Sequence, residues 1–212
     1  IISSNLCNLK LIVDPFLDQN EHYNQLGIKQ SKKFEDLLEA NDIDGVVLCS
    51  PSKHHVKQIK KLSTTIKNIF CEKPLGLSVK EIIDVKSEVE KSDLNLHVGF
   101  NRRYDPDFAD LQQSIEDNEV GDIHMIKITS RDPAPPTIDY IKNSGGIFLD
   151  MTIHDFDMIK YLSDSEISEI YVKGRCFIDP QIKKSGDVDT AIINMKLKNG
   201  VLATINNSRK AV

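Results

Sequence analysis

The sequence predicts an α/β fold: a parallel sheet with crossover helices, followed by an α+β domain with a mostly antiparallel, open sheet. Two observations lead to this prediction. Over roughly the first 100 residues, short apolar runs alternate with helical patterns, which is typical of parallel strands joined by crossover helices. Beyond residue 100 the strands follow one another, and an Asn199-Gly200 pair predicts a hairpin between the last two.

Four strands and four helices are predicted in the first half. The strands lie at residues 9–13, 45–49, 68–71 and 96–100, and the helices at residues 19–26, 34–40, 53–62 and 79–91. The run at 45–49 is almost wholly apolar, which is typical of a central strand covered on both faces. The helix at 79–91 is the clearest, because Ser78 and Glu81 have the spacing of a capping box.

The second half begins with a helix whose first position is Pro106, a residue that favours helix starts. A strand is predicted at residues 123–130, a proline-rich turn at 133–136, a helix at 148–162, and strands at 167–177, 190–197 and 201–207. This change of pattern predicts a domain boundary near residue 100, and hence domains at residues 1–100 and 101–212.

Composition and charge narrow the classes of function. The chain has 212 residues, of which 40% are hydrophobic and 28% charged, as expected for a globular protein rather than a disordered one. The net charge of −5, without any block of like charges, argues against nucleic acid or an anionic membrane as a partner. No apolar stretch approaches the roughly 18 to 20 residues needed to cross a bilayer.

The cysteines and histidines bear on redox and metal chemistry. Neighbouring cysteines stand at least 22 residues apart, so the sequence has no CxxC pair for zinc or redox chemistry. We therefore predict a reducing, cytoplasmic setting. The histidines show no ligand spacing with cysteines or carboxylates, and no metal site is predicted.

Two side chains follow predicted strands of the first half, where open α/β sheets bind their ligands. Asp14 has the place of the acid that accepts hydrogen bonds from an adenosine ribose; the alternative is a solvated residue that begins a turn with Pro15. Lys73 follows a buried strand within Glu-Lys-Pro and could relay a proton or polarise a hydroxyl. The alternative is an exposed cation that pairs with Glu72.

Asp150 and His154 form a candidate proton-transfer pair in the second half. They are four residues apart in a helical pattern, which places both side chains on one face. Histidine is the natural base near neutral pH, and a carboxylate one turn away can orient its ring. The alternative is a helix-surface pair without function, since Asp155 and Asp157 show that acids are abundant here.

These pieces occur in the same order in the Gfo/Idh/MocA oxidoreductases, and the chain resembles that family, most of all its inositol 2-dehydrogenases. The residues that carry the resemblance are Asp14-Pro15, Ser50-Pro51 with His55, Phe70-Cys71-Glu72-Lys73-Pro74, Val98-Gly99-Phe100-Asn101-Arg102-Arg103-Tyr104, and Gly145-Gly146-Ile147-Phe148-Leu149-Asp150-Met151-Thr152-Ile153-His154-Asp155. The resemblance extends over almost the whole chain. The Glu-Lys-Pro element together with Gly-Gly and Asp-x-x-x-His is specific to the family.

The resemblance implies an NAD-dependent oxidoreductase that oxidises a secondary hydroxyl of a cyclic polyol such as inositol. Its catalytic residues would be Lys73, Asp150 and His154, with His154 accepting the hydroxyl proton, Lys73 polarising the oxygen and Asp150 orienting the base. The residues implied in NAD binding are Asp14, Ser50, Pro51, His55, Glu72, Lys73 and Arg102. Those implied in substrate binding are Lys73, Asn101, Asp132, Asp150 and His154. The open sheet of the second domain would support a homo-oligomer.

Two departures from the family pattern concern the ends of the sequence. The sequence contains no G-x-G-x-x-G phosphate turn, and the family's first strand and glycine loop would precede Ile1. A tyrosine-bearing stretch that reaches the substrate would follow Val212. We therefore expect a chain truncated at both ends, with an incomplete Rossmann sheet and a partial second domain.

Three functions stay open at this point. The first is an inositol dehydrogenase that prefers NAD, because Asp14 would repel a 2′-phosphate and Pro15 and Phe16 offer no cation to receive one. The second is another sugar dehydrogenase of the same family. The third is a catalytically inactive remnant that acts as a non-enzymatic module.

Overall fold

The computed structural model describes residues 2–211. Its first half contains five strands in two parallel sheets. The strands are β1 (Leu11–Val13), β2 (Lys29–Ser31), β3 (Gly45–Leu48), β4 (Asn68–Glu72) and β5 (Asn95–Gly99). One sheet pairs β1 with β2, and the other has the order β3-β4-β5. Within each sheet the strands run in the same direction, so their carboxyl ends lie at one edge of that sheet, as the alternating pattern predicts.

Four helices cross over between these strands. They are α1 (Glu21–Gln25), α2 (Glu35–Glu39), α3 (His55–Leu62) and α4 (Val79–Ser92). The predicted capping box of α4 is confirmed, since the Ser78 hydroxyl accepts from the Glu81 amide and the Glu81 carboxylate accepts from the Ser78 amide. The apolar faces of α3 and α4 pack against β3 and β4 and form the first core.

Strand β3 is not the doubly covered central strand that its apolar sequence predicts. Among the described residues it pairs only with β4, so it lies at an edge of its sheet. Val46 and Leu48 face the core under α3, whereas Val47 on the opposite face is 49% exposed. The prediction was wrong because an apolar run does not reveal whether a strand is covered on one face or on both.

The second half contains a four-stranded mixed sheet with helices packed on one face. Its strands are β6 (Met125–Arg131), β7 (Ile167–Arg175), β8 (Thr190–Leu197) and β9 (Leu202–Ser208), in the order β6-β9-β8-β7. The β6–β9 pair is parallel, and the other two pairs are antiparallel. The predicted hairpin at Asn199-Gly200 joins β8 to β9, and Gly200 takes the positive φ of 93° that the turn requires. The predicted fold class is therefore confirmed.

The helices of this half include α5 (Pro106–Glu116), α6 (Ile138–Ser144), α7 (Ile153–Ser163) and α8 (Pro180–Lys184). Pro106 is the first helical residue of α5, and Asp105 caps that helix through its side chain. The helix predicted at 148–162 is divided into a π-helical turn, Phe148–Thr152, followed by α7. Asp150 therefore lies on the π turn and His154 lies on α7, and this irregular junction shapes the site.

One face of the mixed sheet packs on α7, and the other is open. Ile193, Leu197 and Ile205 are fully buried with Ile159 of α7 in a second core. The open face exposes apolar side chains from several strands: Met125, Ile192, Leu202 and Tyr171. In the part of the chain that the structure describes, no helix is both long and apolar enough to span a membrane.

Candidate active site

A cavity of about 700 Å³ lies where the first half of the chain meets the mixed sheet. The side chains around it come from the ends of β4, β5, β6 and β9, from the π turn and from α7. Five of the predicted site residues line it: Lys73, Arg102, Asp132, Asp150 and His154. Because the carboxyl edge of a parallel sheet is the usual ligand-binding edge of open α/β folds, this cavity is the candidate active site.

Lys73 reaches across the cavity wall to the π turn. Its Nζ donates to the backbone oxygen of Asp150 at 2.7 Å and to Asp150 Oδ1 at 3.1 Å. The two side chains are 18% and 11% exposed. Glu72 does not pair with the ammonium, because its carboxylate accepts from the Lys73 backbone amide instead. The alternative of an exposed cation paired with Glu72 is therefore wrong.

Asp150 accepts hydrogen bonds at both of its carboxylate oxygens. Tyr140 donates to Oδ1 at 2.8 Å together with Lys73, and Arg209 donates to Oδ2 at 2.9 Å. Burial alone would raise the pKa of Asp150, but the hydrogen bond from Arg209 and the charge of Lys73 hold the pKa below its ordinary value. Burial, together with the bond to ionised Asp150, raises the pKa of Tyr140 to about 12.

His154 makes no hydrogen bond with Asp150, which corrects the prediction that Asp150 orients its ring. The carboxylate oxygens of Asp150 are engaged by Lys73, Tyr140 and Arg209 instead. Nδ1 of His154 is buried without a partner among residues 2–211, which leaves Nε2 as the accessible nitrogen toward the cavity. The alternative of a helix-surface pair is also wrong, because both residues line the cavity and neither is exposed.

The environment of His154 favours the neutral ring. Burial lowers its pKa to about 4, with further lowering from the charges of Lys73 and Arg102, while Asp155 and Asp150 act in the opposite direction. At neutral pH the imidazole is therefore uncharged. A neutral ring with an accessible nitrogen can accept a proton from a ligand hydroxyl.

The low pKa of His154 leads to a testable dependence on pH. Between pH 6.5 and about 4 the unfolded chain binds a proton at this ring and the folded chain does not. The free energy of unfolding should therefore fall as the pH is lowered through that window, and this contribution should be constant above pH 6.5. Urea denaturation at a series of pH values, compared with a His154→Gln variant, isolates this effect. An NMR titration midpoint of His154 close to 6.5 would contradict it.

A buried network anchors Arg102 beside the cavity. Asp155 is fully buried and accepts from Arg102 Nη1 at 2.5 Å, from Ser130 Oγ at 2.7 Å and from Asn207 Nδ2 at 2.7 Å. These partners come from β6, β9 and the turn after β5, so one carboxylate connects three elements around the site. The sequence suggested only that acids are abundant near His154, and it did not distinguish the buried Asp155 from its neighbours.

Removing this carboxylate should destabilise the fold. Asp155→Ala is expected to lower the free energy of unfolding by about 3 kcal/mol, because Arg102 and the buried Asn207 amide would lose their acceptor. The control is Glu166→Ala, which removes an exposed ion pair with Lys198 and should lower the free energy of unfolding far less. Urea denaturation of the two variants measures the difference. Equal costs would show that the network around Asp155 contributes no more than a surface pair.

The other predicted residues lie outside the cavity, on the carboxyl edge of the first-half sheets. Asp14 follows β1 and is exposed, with Oδ1 accepting from the Phe16 amide at 2.7 Å. Ser50 donates to Gln58, and Pro51 is exposed beside it. Glu72 is partly buried at the end of β4, and Asn101 is exposed at the start of the turn after β5.

His55 does not line an open cleft, which corrects its predicted place. The ring is 1% exposed, and its two nitrogens lie 2.8 Å from the Pro74 oxygen and 2.7 Å from the Ser50 oxygen. His55 therefore connects the turn after β3 to the loop that carries Lys73. It supports the ligand-binding edge without being accessible from it.

Tyr140 and Arg209 are the cavity-side residues that sequence reasoning missed. Tyr140 lies on α6, a seven-residue helix that was not predicted. Arg209 directly follows β9, and the register that places Ser208 opposite Arg131 brings it beside Asp132. The signal available in the sequence was a basic residue just after an apolar strand, which does not by itself indicate a site.

A second cavity, of about 1100 Å³, lies between α5, the end of α7 and the β8–β9 turn. None of the predicted site residues lines it. Within residues 2–211, no group of three or more histidine, cysteine, aspartate or glutamate side chains is arranged so that it could hold a metal ion. The smaller cavity, with its lysine, histidine and carboxylates, remains the candidate active site.

The donor set along the carboxyl edge fits a dinucleotide. Asp14 offers an exposed carboxylate for ribose hydroxyls, and among the described residues no lysine or arginine pairs with it. Ser50 follows β3, and Glu72 is the last residue of β4, next to Lys73. An exposed carboxylate and polar groups at strand ends are the kind of partners that would hold a dinucleotide.

Comparison with known protein families gives two matches that together extend over nearly the whole chain. Residues 2–100 match the oxidoreductase family GFO_IDH_MocA, described as having an NAD-binding Rossmann fold. Residues 108–212 match the GFO/IDH/MocA C-terminal domain.

Known relatives and solved structures are similar over almost the entire chain. The Thermotoga maritima myo-inositol 2-dehydrogenase is 42% identical over 215 residues, which cover 97% of this chain and 64% of that enzyme. A crystal structure of a Corynebacterium glutamicum myo-inositol dehydrogenase superimposes with a TM-score of 0.88 at 34% identity, covering 96% of this chain and 61% of that one. The crystal structure of a Lactobacillus casei scyllo-inositol dehydrogenase with bound NAD(H) and scyllo-inositol superimposes with a TM-score of 0.86 at 29% identity. The match covers 99% of this chain and 64% of that one. The chain thus spans less than two thirds of the length of these relatives.

Proposed function

From the premise that this chain belongs to the Gfo/Idh/MocA oxidoreductase family, we propose that the intact protein oxidises a secondary hydroxyl of a cyclic polyol with NAD, with inositol as the leading substrate. The observation that carries this proposal is the neutral His154, whose Nε2 is accessible in the same cavity as the Lys73–Asp150 pair. The names of similar enzymes, which act on myo- and scyllo-inositol, support the substrate class.

The chemistry divides between three side chains. NAD, when bound, supplies the hydride acceptor. His154 Nε2 takes the proton of the substrate hydroxyl. The carbon that bears this hydroxyl loses a hydride with its electron pair, and a C=O bond forms. The Lys73 ammonium donates to the developing oxyanion and stabilises its charge. Asp150 positions Lys73, whose Nζ it contacts through both its backbone oxygen and Oδ1.

The remaining predicted residues bind the two ligands in this proposal. Asp14 accepts from the adenosine ribose, and Ser50, Pro51 and Glu72 border the dinucleotide along the carboxyl edge. Arg102, held by Asp155, lines the cavity and would help to hold the dinucleotide there. Asp132 and Asn101 contact the polyol, and Asp132 is supported by its place in the cavity wall.

We also propose a homo-oligomer that forms through the open face of the mixed sheet. Its exposed apolar side chains, Met125, Ile192, Leu202 and Tyr171, support an interface, because such a patch is unusual on a free surface.

A cytoplasmic setting is supported by the four cysteines, all of which are free thiols.

A cofactor and substrate panel on the intact protein tests the proposal. Myo-inositol, scyllo-inositol and unrelated sugars are assayed with NAD and with NADP. Oxidation of an inositol with NAD is expected. A preference for NADP would refute NAD as the cofactor. Oxidation of a different sugar alone would favour another sugar dehydrogenase of the family. If no polyol or sugar is oxidised, the hypothesis of a non-enzymatic module is favoured.

The role of Asp14 gives a further prediction. Asp14→Ala should raise the KM for NAD by about 10- to 100-fold, the effect of losing a hydrogen bond to a charged group, with little change in kcat. Asp18→Ala, which removes a neighbouring exposed carboxylate, serves as the matched control and should leave the KM unchanged. Steady-state kinetics with varied NAD measures both variants. An unchanged KM in Asp14→Ala would contradict the assignment of the ribose to Asp14.

A further inference from the structure

Arg209 is a buried cation that touches two carboxylates of the cavity. Its side chain is 2% exposed, and Nη1 donates to Asp150 Oδ2 at 2.9 Å and to Asp132 Oδ2 at 3.2 Å. Asp132 follows β6, Asp150 lies on the π turn, and Arg209 follows β9. A single guanidinium nitrogen thus connects three elements around the candidate active site.

The two carboxylates need a cation between them. Because both oxygens contact the same Nη1, they lie within about 6 Å of each other, where two negative charges in a partly buried site repel. Among the described residues, Lys73 Nζ donates only to Asp150, at its backbone oxygen and at Oδ1. Arg209 is therefore the cation that keeps this pair of carboxylates together.

The two carboxylates differ in what they have left to offer a ligand. Asp150 accepts at both oxygens and is 11% exposed. Asp132 is 32% exposed, and among the described residues no donor lies within hydrogen-bonding distance of its Oδ1. Asp132 can accept from a substrate hydroxyl, whereas Asp150 is committed to Lys73, Tyr140 and Arg209.

The remaining nitrogens of Arg209 argue against a purely structural role. Nε and Nη2 are buried and have no partner among residues 2–211. A buried guanidinium with two unpaired nitrogens is a poor stabilising device, because desolvation of those donors is not offset by hydrogen bonds. Unsatisfied groups of this kind in a native fold need an explanation, and a functional contact at Nη1 supplies one.

We propose that Arg209 is a positioning residue that directs Asp132 toward the substrate hydroxyls and holds Asp150 in place as the charged partner of Lys73. This rests on the proposed polyol oxidation and goes beyond it, because it couples substrate recognition to the proton chemistry through one side chain. A change at Arg209 should therefore affect the KM for polyol and the titration of Asp150 together.

The groups that face Asp150 define the expected change in its titration. Lys73 and Tyr140 contact Oδ1, Arg209 contacts Oδ2, and Asp132 and His154 lie in the same cavity. The hydrogen bond from Arg209 is the strongest of the effects that lower the pKa of Asp150, so its removal should raise that pKa. Burial and the charges of Lys73 and Arg102 are the main causes of the low pKa of His154, so the His154 titration should change less than that of Asp150.

The test compares Arg209→Gln with Arg209→Lys in the intact protein. Arg209→Gln should raise the KM for polyol about tenfold or more and move the Asp150 midpoint to higher pH, followed by carboxyl ¹³C NMR with Asp150→Asn used for assignment. Arg209→Lys, which keeps the charge, should restore the midpoint largely to that of the parent. The control is Arg103→Gln, which removes a guanidinium–carboxylate pair with Asp157 outside the cavity and should change neither quantity.

The outcomes separate this inference from the proposed function. A folded Arg209→Gln protein with the parental KM and the parental Asp150 midpoint would overturn the role of Arg209. If Arg209→Gln does not fold, the kcat/KM effects of Arg209→Lys and Asp132→Asn are combined, and strict additivity of the two would overturn it. A parent protein that oxidises no polyol would instead refute the proposed function, while the NMR midpoint would still report on Arg209.

Discussion

Replacing His154 with alanine is expected to lower kcat by about 10²- to 10⁴-fold, the usual effect of losing a positioned proton acceptor. The imidazole is neutral at physiological pH, because burial and the charges of Lys73 and Arg102 lower its pKa to about 4. Without that ring, the hydroxyl proton has no base at the accessible position in the cavity. NAD affinity should stay nearly unchanged, since the proposed dinucleotide contacts lie along the strand ends.

Steady-state kinetics and calorimetric titration with NAD measure the two parts of this expectation. His22→Ala provides the matched control, because His22 is exposed on α1 and lies outside the cavity. Near wild-type turnover of His154→Ala on every polyol tested would remove the mechanism proposed here. A large loss of NAD affinity with unchanged kcat would instead make His154 a cofactor ligand.

Lys73→Met should lower kcat by a similar factor, about 10²- to 10⁴-fold. The ammonium is the cation placed to stabilise negative charge on the substrate oxygen, and its Nζ lies 3.1 Å from Asp150 Oδ1. Asp150→Asn should act in the same direction but less severely, because it would loosen Lys73 without deleting it. The exposed Lys53 offers a matched control, and Lys53→Met should leave kcat unchanged.

The three substitutions should combine less than additively, because the side chains act as a unit. The Lys73→Met, Asp150→Asn double variant tests this most directly, since the two residues contact each other. A double variant whose loss in kcat equals the product of the single losses would indicate that Asp150 acts independently of Lys73. Asp150 would then act on catalysis by a route other than its contact with Lys73.

Periodicity and end signals in the sequence were sufficient for the long elements of the fold. The capping box of α4, the proline at the start of α5 and the Asn-Gly hairpin are local signals, and each is confirmed by the structure. The elements that were missed are short. Strand β2 has only three residues, all polar, and α6 and α8 have seven and five residues, too few for a periodic pattern.

The sequence indicated which side chains meet in the candidate cavity, but not which contacts they make. Lys73, Asp150 and His154 were identified through motif and resemblance, and the structure brings them to one cavity. The spacing of Asp150 and His154 nevertheless suggested the wrong partner. The donors to the Asp150 side chain lie 77, 10 and 59 residues away in the sequence, at Lys73, Tyr140 and Arg209. Contacts of this kind depend on strand register and on docking of the two halves, which local spacing does not report.

The contact between Lys73 and Asp150 has a consequence for protein engineering. The lysine belongs to the half that offers Asp14 and the strand ends, and the aspartate belongs to the half that offers Asp132. In a chimaera of two relatives joined after β5, cofactor choice would be inherited from one parent and polyol choice from the other. The kcat of such a chimaera would then depend on whether Lys73 from one parent and Asp150 from the other form the same contact. This contact is therefore the first one to optimise.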